Sequence, residues 1–272
     1  MKKSYLTFKY LSTFIPSKNY SSALTLHNIP QKSYRWFSNI LDYLMEDYEF
    51  INPKNIESIL NIKNSKKKLL LTFDDGYSSC LDICEKILNP RKIKALFFLT
   101  SSFIGLKNND AFNFCRNNFY PNSELSKGNF HNCDAISTDD ICSILKYGHS
   151  IGCHTSTHKN LSLISSKEIK DEINYSKDYL ESIINEKIDF FAFPFGNLHS
   201  INYDSHNIAK NKFKYCFSNI RGGLYESPSR SFIFRHNLVP EMPVFLVKAI
   251  VEGKVDWKYE KSRIRAKMLY RK

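Results

Sequence analysis

The chain has 272 residues, of which 42% are hydrophobic and 14% aromatic, and it carries 39 lysines and arginines against 27 acidic residues. This composition supplies a sizeable buried core and excludes wholesale disorder. The longest apolar run, Ala95–Leu99, is far shorter than the roughly 20 residues that a membrane-spanning helix needs.

The formal net charge of +12 is unevenly spread, because residues 253–272 hold eight basic side chains against Asp256 and Glu260. Nucleic acid, an anionic membrane surface or a phosphate-bearing substrate could each use residues 241–272 as a basic tail, and a solvated terminus is the simplest interpretation. We find no helix-turn-helix, zinc-finger or aromatic-basic pattern and therefore predict no nucleic-acid partner. A weak peripheral membrane contact through this tail stays open.

Residues 1–22 are predicted to form an N-terminal extension that does not export the chain. Lys9 and scattered polar residues interrupt the apolar run of a signal peptide, and no small-residue cleavage site follows. Seven cysteines without a CxxC pair fit neither a disulfide framework nor a zinc ribbon. We therefore predict a cytoplasmic chain with reduced thiols.

Short apolar runs alternate with amphipathic segments along the chain. The predicted strands are Ala23–His27, Leu69–Phe73, Lys94–Thr100, His149–Cys153, Ile188–Phe193, Phe213–Phe217 and Ser231–Phe234. The helical period predicts helices over Phe37–Tyr48, over Leu81–Leu88 and over Thr138–Tyr147. A capping box at Ser165 and Glu168 predicts the start of a fourth helix.

This alternation predicts an α/β fold with a mostly parallel sheet, either open or closed into a barrel, covered by helices. In such folds the chemistry collects at the carboxyl ends of the strands. Residues 105–136 are polar, rich in asparagine and without a clear period, so we predict an insertion or lid on that rim.

Two motifs directly follow predicted strands. Asp74 and Asp75 end one apolar run before Gly76, where two buried carboxylates would repel each other unless a cation or a proton separates their roles. His154 and His158 are spaced so that one helical turn would place both imidazoles on one face. Taken alone, the first motif could be an ordinary Asp-Gly turn and the second a pair of surface histidines. Together they form a set of two histidines and a carboxylate that leaves metal positions open to water and substrate.

The motifs resemble those of the polysaccharide deacetylase family, also called carbohydrate esterase family four, over about residues 23–240. Thr72–Gly76 matches the first family motif and His154–His158 the second. Phe191–Gly196 is similar to the third motif, and Lys94–Leu99 matches the strand that follows the first. The resemblance implies a single catalytic domain with a distorted (β/α) barrel of about seven parallel strands.

The resemblance also implies roles for individual residues. Asp75, His154 and His158 would hold a divalent metal ion, with zinc expected, and Asp74 would be the general base. In the branch resembling the poly-N-acetylglucosamine deacetylases, an early histidine is the general acid, and His27 stands at that position.

Three further candidate residues follow from the same resemblance. His236, after the last predicted strand, is the alternative general acid. The backbone N–H of Phe195 is expected at the oxyanion, while Arg235 would brace Asp74 near the substrate or serve as a structural ion-pair residue. The third motif lacks the arginine that usually braces the base, and no Trp-bearing fourth motif is recognisable.

The predicted reaction is the metal-dependent hydrolysis of an N-acetyl group from an N-acetylated sugar or polysaccharide, with release of acetate. The substrate is expected to be a glycan, either free or linked to a nucleotide or a lipid. A catalytically inactive carbohydrate-binding relative of the deacetylases is the alternative.

Overall fold

The computed structural model of the protein describes residues 16–18, 20–60, 67–121 and 133–271. Its strands are β1 (Ser22–Leu26), β2 (Glu49–Phe50), β3 (Lys68–Phe73), β4 (Ala95–Leu99), β5 (Ser150–Cys153), β6 (Phe190–Ala192), β7 (Tyr215–Phe217) and β8 (His236–Asn237). Its α-helices are α1 (Tyr34–Met45), α2 (Glu57–Leu60), α3 (Ser79–Ile83), α4 (Asn108–Phe114), α5 (Thr138–Lys146), α6 (Ser166–Ile184), α7 (Tyr203–Lys212), α8 (Val244–Val251) and α9 (Glu260–Tyr270).

The strands form one curled parallel sheet in the order β7-β6-β5-β4-β3-β1-β8, and β2 pairs with the start of β3. Helices follow the strands and cover the outer face of the sheet. The predicted fold class is confirmed: the protein is a single α/β domain with a half-barrel of seven parallel strands.

The seventh strand lies later in the chain than the sequence predicts. The predicted segment, Ser231–Phe234, contributes a single parallel bridge between Ile233 and Phe217, and the strand beside β1 is β8. The N–H of Ile233 donates to the Cys216 carbonyl at 2.8 Å, so this segment links β7 to the chain that leads into β8. The apolar pattern of Ser231–Phe234 reflects burial rather than regular strand pairing.

Two apolar layers hold the sheet in shape. Side chains on the concave face, such as Leu70, Phe98 and Phe217, fill the inside of the half-barrel. Gly152 leaves room for the Phe98 ring there, because a Cβ at this position would lie 2.5 Å from that ring. Side chains on the convex face pack against the helices, as Phe73 does against Phe37 of α1.

The predicted helices are present. Helix α1 buries the apolar face that includes Phe37, although Met45 at its end is 43% exposed and not buried as its spacing predicts. The predicted capping box is also confirmed, because Ser165 and Glu168 each bond the other's backbone N–H at the start of α6. The segment from Leu81 to Leu88 combines α3 with one π-helical turn.

The predicted insertion has more internal structure than its composition indicates. Within residues 105–136 the chain forms α4 and a π-helical turn over Cys115–Phe119, and residues 122–132 lie outside the described part of the chain. Phe112, Cys115 and Phe119 pack with Tyr77 in a small apolar cluster, which joins the insertion to the turn after β3. Most of the predicted N-terminal extension, residues 1–15 and 19, also lies outside the described residues.

Residues 241–271 are packed helices, whereas the sequence indicated a solvated basic tail. In α9 the side chains of Arg263 and Tyr270 are 2% and 4% exposed. The Tyr270 ring stacks on Phe232 with centroids 4.3 Å apart, and Arg263 donates to the Asp256 carbonyl. The charge count could not reveal this packing, because buried Asp256 and buried Arg263 neutralise each other across 3.5 Å.

No helix in the described residues is long and apolar enough to cross a bilayer. All seven cysteine thiols are free, and Cys142 is the one among them that is not fully buried.

Candidate active site

A cavity of about 400 Å³ opens at the carboxyl ends of the strands. It is lined by His27, Asn28, Asp74, Asp75, Phe119, Tyr120, His154, His158, Phe193, Phe195, Asn197, Asn219, Asn237, Leu238, Val239 and Pro240. Six of the residues singled out in the sequence therefore meet in one place, at the edge where parallel α/β folds carry their chemistry.

Asp75, His154 and His158 converge at the floor of the cavity. One ligand atom from each lies within 4.8 Å of the others, and all three side chains are buried. The Asp75 Oδ1 atom is 3.6 Å from His154 Nε2 and 3.7 Å from His158 Nε2. These separations leave space for one cation bound to all three atoms at about 2 Å.

The hydrogen bonds of the two rings fix which nitrogen faces the cluster. His154 Nδ1 lies 2.8 Å from the Ala192 carbonyl, and His158 Nδ1 lies 3.1 Å from the Asn118 carbonyl. A carbonyl oxygen can only accept, so each Nδ1 carries the proton and each Nε2 presents a lone pair to Asp75. Burial lowers the pKa of His154 to about 4, which keeps the ring neutral at physiological pH.

The Asp75 carboxylate oxygen in the cluster lacks the hydrogen-bond partner that a buried carboxylate requires. Asp75 Oδ1 is buried and has no hydrogen-bond partner among the described residues. Burial, with the neighbouring charge of Asp74, raises the pKa of Asp75 well above its usual value. A buried oxygen that faces two imidazole lone pairs fits a bound cation, so the donor set passes this test for a metal site.

The backbone at these residues is unusual. Asp75, His158 and Phe195 have φ values of 76°, 60° and 60° in the left-handed region, which non-glycine residues rarely adopt. Each such position costs of order 1–3 kcal/mol and persists because the surrounding structure enforces it. These turns aim the side chains of Asp75 and His158 into the cavity instead of along the strands.

Glu172 of α6 supports the histidine-bearing turn from behind. Its carboxylate is 6% exposed, accepts from the Thr157 N–H at 2.7 Å and also accepts from the Thr157 hydroxyl. The Thr155 hydroxyl accepts from the His158 N–H at 3.1 Å within the same turn. A buried carboxylate thus holds the loop between the two histidines, and no sequence motif identified it.

Asp74 forms a buried ion pair with Arg235. Arg235 Nη1 and Nη2 each donate to Asp74 at 2.7 Å, and the guanidinium also donates to the Ser218 carbonyl at 2.9 Å. Burial alone would raise the pKa of Asp74, but the charge and hydrogen bonds of Arg235, with His154 nearby, lower it to about 2. Asp74 is therefore ionised at neutral pH.

Arg235 itself lies behind Asp74 and not on the cavity wall. It is 0% exposed, and its guanidinium lies over the Phe98 ring, 5.2 Å from the centroid. Arg235 thus holds Asp74 in place, as the sequence suggested, but its buried guanidinium cannot contact a ligand in the cavity.

The two candidate general acids occupy different places. His27 follows β1 and lines the cavity beside Asp74, where burial lowers the pKa of its ring while the Asp74 charge opposes that shift. His236 points away from the cavity, is 0% exposed and stacks on Tyr20 with ring centroids 6.1 Å apart. The neighbouring Asn237 faces the cavity instead, as expected from the alternation of side chains along β8.

The insertion supplies part of the cavity wall that sequence reasoning missed. The Phe119 ring meets His158 edge-on at 4.9 Å, and Tyr120 lines the opening. The Phe195 ring also lies close, 4.6 Å from His158. These aromatic side chains shield His158 from bulk water.

The fold and the site together define a half-barrel α/β protein with a buried cluster of two histidines and a carboxylate at the carboxyl ends of its strands. The family model described as "Polysaccharide deacetylase" matches residues 61–213, more than half of the chain. The chain belongs to the polysaccharide deacetylase family.

Individual relatives are distant. YxkH of Bacillus subtilis (strain 168), whose name assigns it provisionally to the polysaccharide deacetylases, is 22% identical over 151 residues, which cover 55% of this chain and 45% of YxkH. The chain thus spans about half the length of this curated relative.

Two solved structures share the fold. IcaB from Ammonifex degensii superposes with a TM-score of 0.67 at 21% identity, covering 86% of this chain and 97% of IcaB. The Streptococcus pyogenes deacetylase PplD, solved in complex with acetate, has a TM-score of 0.63 at 18% identity, with 85% and 98% covered.

Proposed function

We propose that the protein is a metal-dependent N-deacetylase that hydrolyses the acetamide of an N-acetylated glycan and releases acetate. The observation that carries this proposal is the convergence of Asp75, His154 and His158 on one point beside Asp74, an aspartate that is not part of the cluster. Membership of the polysaccharide deacetylase family supports it. Within the family we favour the branch resembling the poly-N-acetylglucosamine deacetylases, because His27 follows the first strand.

Asp75, His154 and His158 would hold the cation, which we take to be zinc because neutral imidazoles and a carboxylate are among its preferred ligands. When bound, such a cation polarises the substrate carbonyl and acidifies water, whose pKa it can lower from 15.7 to about 7.

The remaining roles fall to side chains around the cluster. Asp74, ionised and held by Arg235, accepts the proton of the water whose oxygen bonds to the acetyl carbon. His27, in its protonated form, gives a proton to the sugar nitrogen as the C–N bond breaks, since an amide anion is too basic to leave unaided, and the proton that Asp74 accepted then returns to His27. The N–H of Phe195 would donate to the oxygen that becomes negative. The products are acetate and a free amino sugar.

The test is acetate release from N-acetylglucosamine oligomers, measured with and without a chelator, alongside elemental analysis of the purified protein. We expect one equivalent of a divalent metal and acetate release that chelation abolishes. His154→Ala should lose both the metal and the activity. A protein that binds the oligomers without releasing acetate would support the inactive carbohydrate-binding alternative instead.

The general acid is tested by a matched pair of variants. His27→Ala should retain the metal and lose about 10²–10⁴-fold in rate, the usual contribution of one acid–base group. His236→Ala serves as the control, because that ring lies outside the cavity. An active His27→Ala with an inactive, folded His236→Ala would reverse the assignment.

The same assay identifies the substrate class when it is repeated with free oligosaccharides, nucleotide sugars and lipid-linked glycans. Acetate release from one class alone would identify the substrate class.

A further inference from the structure

The last helix, α9, has a second apolar face. Its inward face is buried through Arg263 and Tyr270. On the opposite side Ile264 is 46% exposed and Met268 is 79% exposed, one turn apart, and Trp257 just before the helix is 63% exposed. Scattered apolar residues are normal on a protein surface, but Ile264 and Met268 lie one helical turn apart, and Trp257 of the preceding 3-10 turn (Asp256–Tyr259) adds a third large exposed side chain to the same segment.

Basic side chains stand between these apolar residues. Lys261 and Arg265 are exposed and lie at helical positions beside Ile264 and Met268. Within the described part of this segment, Glu260 is the one exposed acid, and it forms an ion pair with Arg263. We define the C-terminal face as Trp257, Lys261, Ile264, Arg265 and Met268.

The inward contacts hold this face in a fixed orientation. The Tyr270 hydroxyl donates to the Ile201 carbonyl at 3.0 Å, and the Tyr270 carbonyl accepts from the Ser229 hydroxyl at 3.1 Å. Near the start of the helix, Arg263 Nη1 donates to the Arg221 carbonyl of a distant segment at 3.4 Å. Because α9 is anchored at both ends, the face is presented without a further ordering cost.

We propose that the C-terminal face binds the surface of an anionic lipid bilayer. Protein interfaces place apolar residues in a core from which charged residues are depleted. Here a cation flanks each apolar residue, so aromatic and aliphatic side chains can enter the headgroup region while lysine and arginine contact anionic headgroups. The face would hold the protein against a membrane-associated glycan, and that consequence alone rests on the proposed function.

The test uses the full chain and sucrose-loaded vesicles of phosphatidylcholine with about 30% phosphatidylglycerol, compared with pure phosphatidylcholine. We expect sedimentation with the anionic vesicles, weakened by added salt, and little with the neutral ones. A Trp36→Phe variant leaves Trp257 as the sole tryptophan. Its emission should shift to the blue on the anionic vesicles and be quenched by brominated lipid, which a purely electrostatic contact would not cause.

Two variant pairs localise the contact. Met268→Ser should weaken vesicle binding about fourfold, whereas Leu163→Ser should leave it unchanged, although both side chains are 79% exposed in the wild type. Lys261→Glu with Arg265→Glu should weaken it at least about tenfold, and Lys167→Glu with Lys170→Glu on α6 is the charge-matched control. All four are surface changes, and far-ultraviolet circular dichroism checks that each variant is folded.

Absence of binding to anionic vesicles, or equal losses in the α9 variants and their controls, would overturn the proposal. A dimer in solution that Met268→Ser converts to a monomer, without any vesicle binding, would assign the face to a second copy of the chain and also overturn it. Acetate release from soluble oligomers should be unchanged in Met268→Ser, so failure at the membrane and failure of the proposed reaction are distinguishable.

Discussion

The buried ion pair between Arg235 and Asp74 makes a quantitative prediction about stability. In Arg235→Met the Asp74 carboxylate loses two hydrogen bonds of 2.7 Å in a site where its own side chain is 3% exposed. Removing one partner of such a pair leaves a buried charge uncompensated, which costs about 3–5 kcal/mol. We expect a decrease of that size in the free energy of unfolding at pH 7, measured by urea denaturation.

The protein contains a surface pair that is also joined by two hydrogen bonds. Arg91 donates to Asp42 through two bonds of 2.6 and 2.7 Å, but the Asp42 side chain is 56% exposed. Exposed pairs contribute about 0–1 kcal/mol because water and salt screen both charges. Arg91→Met should therefore lower the free energy of unfolding far less than Arg235→Met. Equal losses in the two variants would refute the argument from burial.

A double variant separates charge from packing. If the loss in Arg235→Met comes from the unpaired carboxylate, then adding Asp74→Leu should restore most of the stability, since two apolar side chains can replace a buried pair at little cost. If the double variant is as unstable as Arg235→Met, the loss comes from the packing of the arginine side chain against Phe98 and Phe217, and the reasoning is wrong.

Two further predictions concern residues outside the cavity. Glu172→Ala removes the acceptor of the Thr157 N–H and should weaken zinc binding about tenfold in a chelator competition. Glu168→Ala on the same helix is the control and should leave the zinc affinity unchanged. Equal zinc affinities in the two variants would contradict the positioning role of Glu172. Burial lowers the pKa of His149 from 6.5 to about 4, and its Nδ1 accepts from the Ala95 N–H, so folding requires the neutral ring. As the pH falls, the His149 ring of the unfolded chain takes up a proton before the ring in the folded protein does. The contribution of the neutral ring to the free energy of unfolding is therefore complete above pH 6.5 and is lost as the pH falls towards 4. His149→Gln keeps an acceptor without titrating, and it should reduce the fall in unfolding free energy over that interval; an unchanged slope would contradict this.

Much of the site was predictable because the polar candidate residues directly follow the strands in the chain. Leu69–Phe73 is apolar enough to fix β3, and the two aspartates then fall at its carboxyl end. The same holds for β5 and His154. Parallel pairing from β3 through β4 to β5 brings these ends together without any further sequence signal.

The pairing of Ser231–Phe234 was not predictable on the same grounds. Its apolar residues show that the segment is buried, and Phe232 and Phe234 are each 0% exposed, but burial does not specify which backbone groups pair. The same limit applied to residues 241–271, where eight basic side chains near the end of the chain concealed a helix whose Arg263 is neutralised inside the fold. A local count of charges cannot include a partner that only the tertiary structure supplies.

The left-handed backbone at His158 and Phe195 has the same origin. Residues other than glycine adopt positive φ in only a few per cent of cases, so nothing local in the sequence predicts it at these two positions. The sequence also does not indicate that the carbonyls of Ala192 and Asn118 fix the two imidazole tautomers, because every residue has a carbonyl. The chemical identity of the cluster is therefore set by side chains, while their orientation depends on backbone groups brought together from β6 and from the insertion. For that reason the composition of the cluster could be inferred from the sequence and its geometry could not.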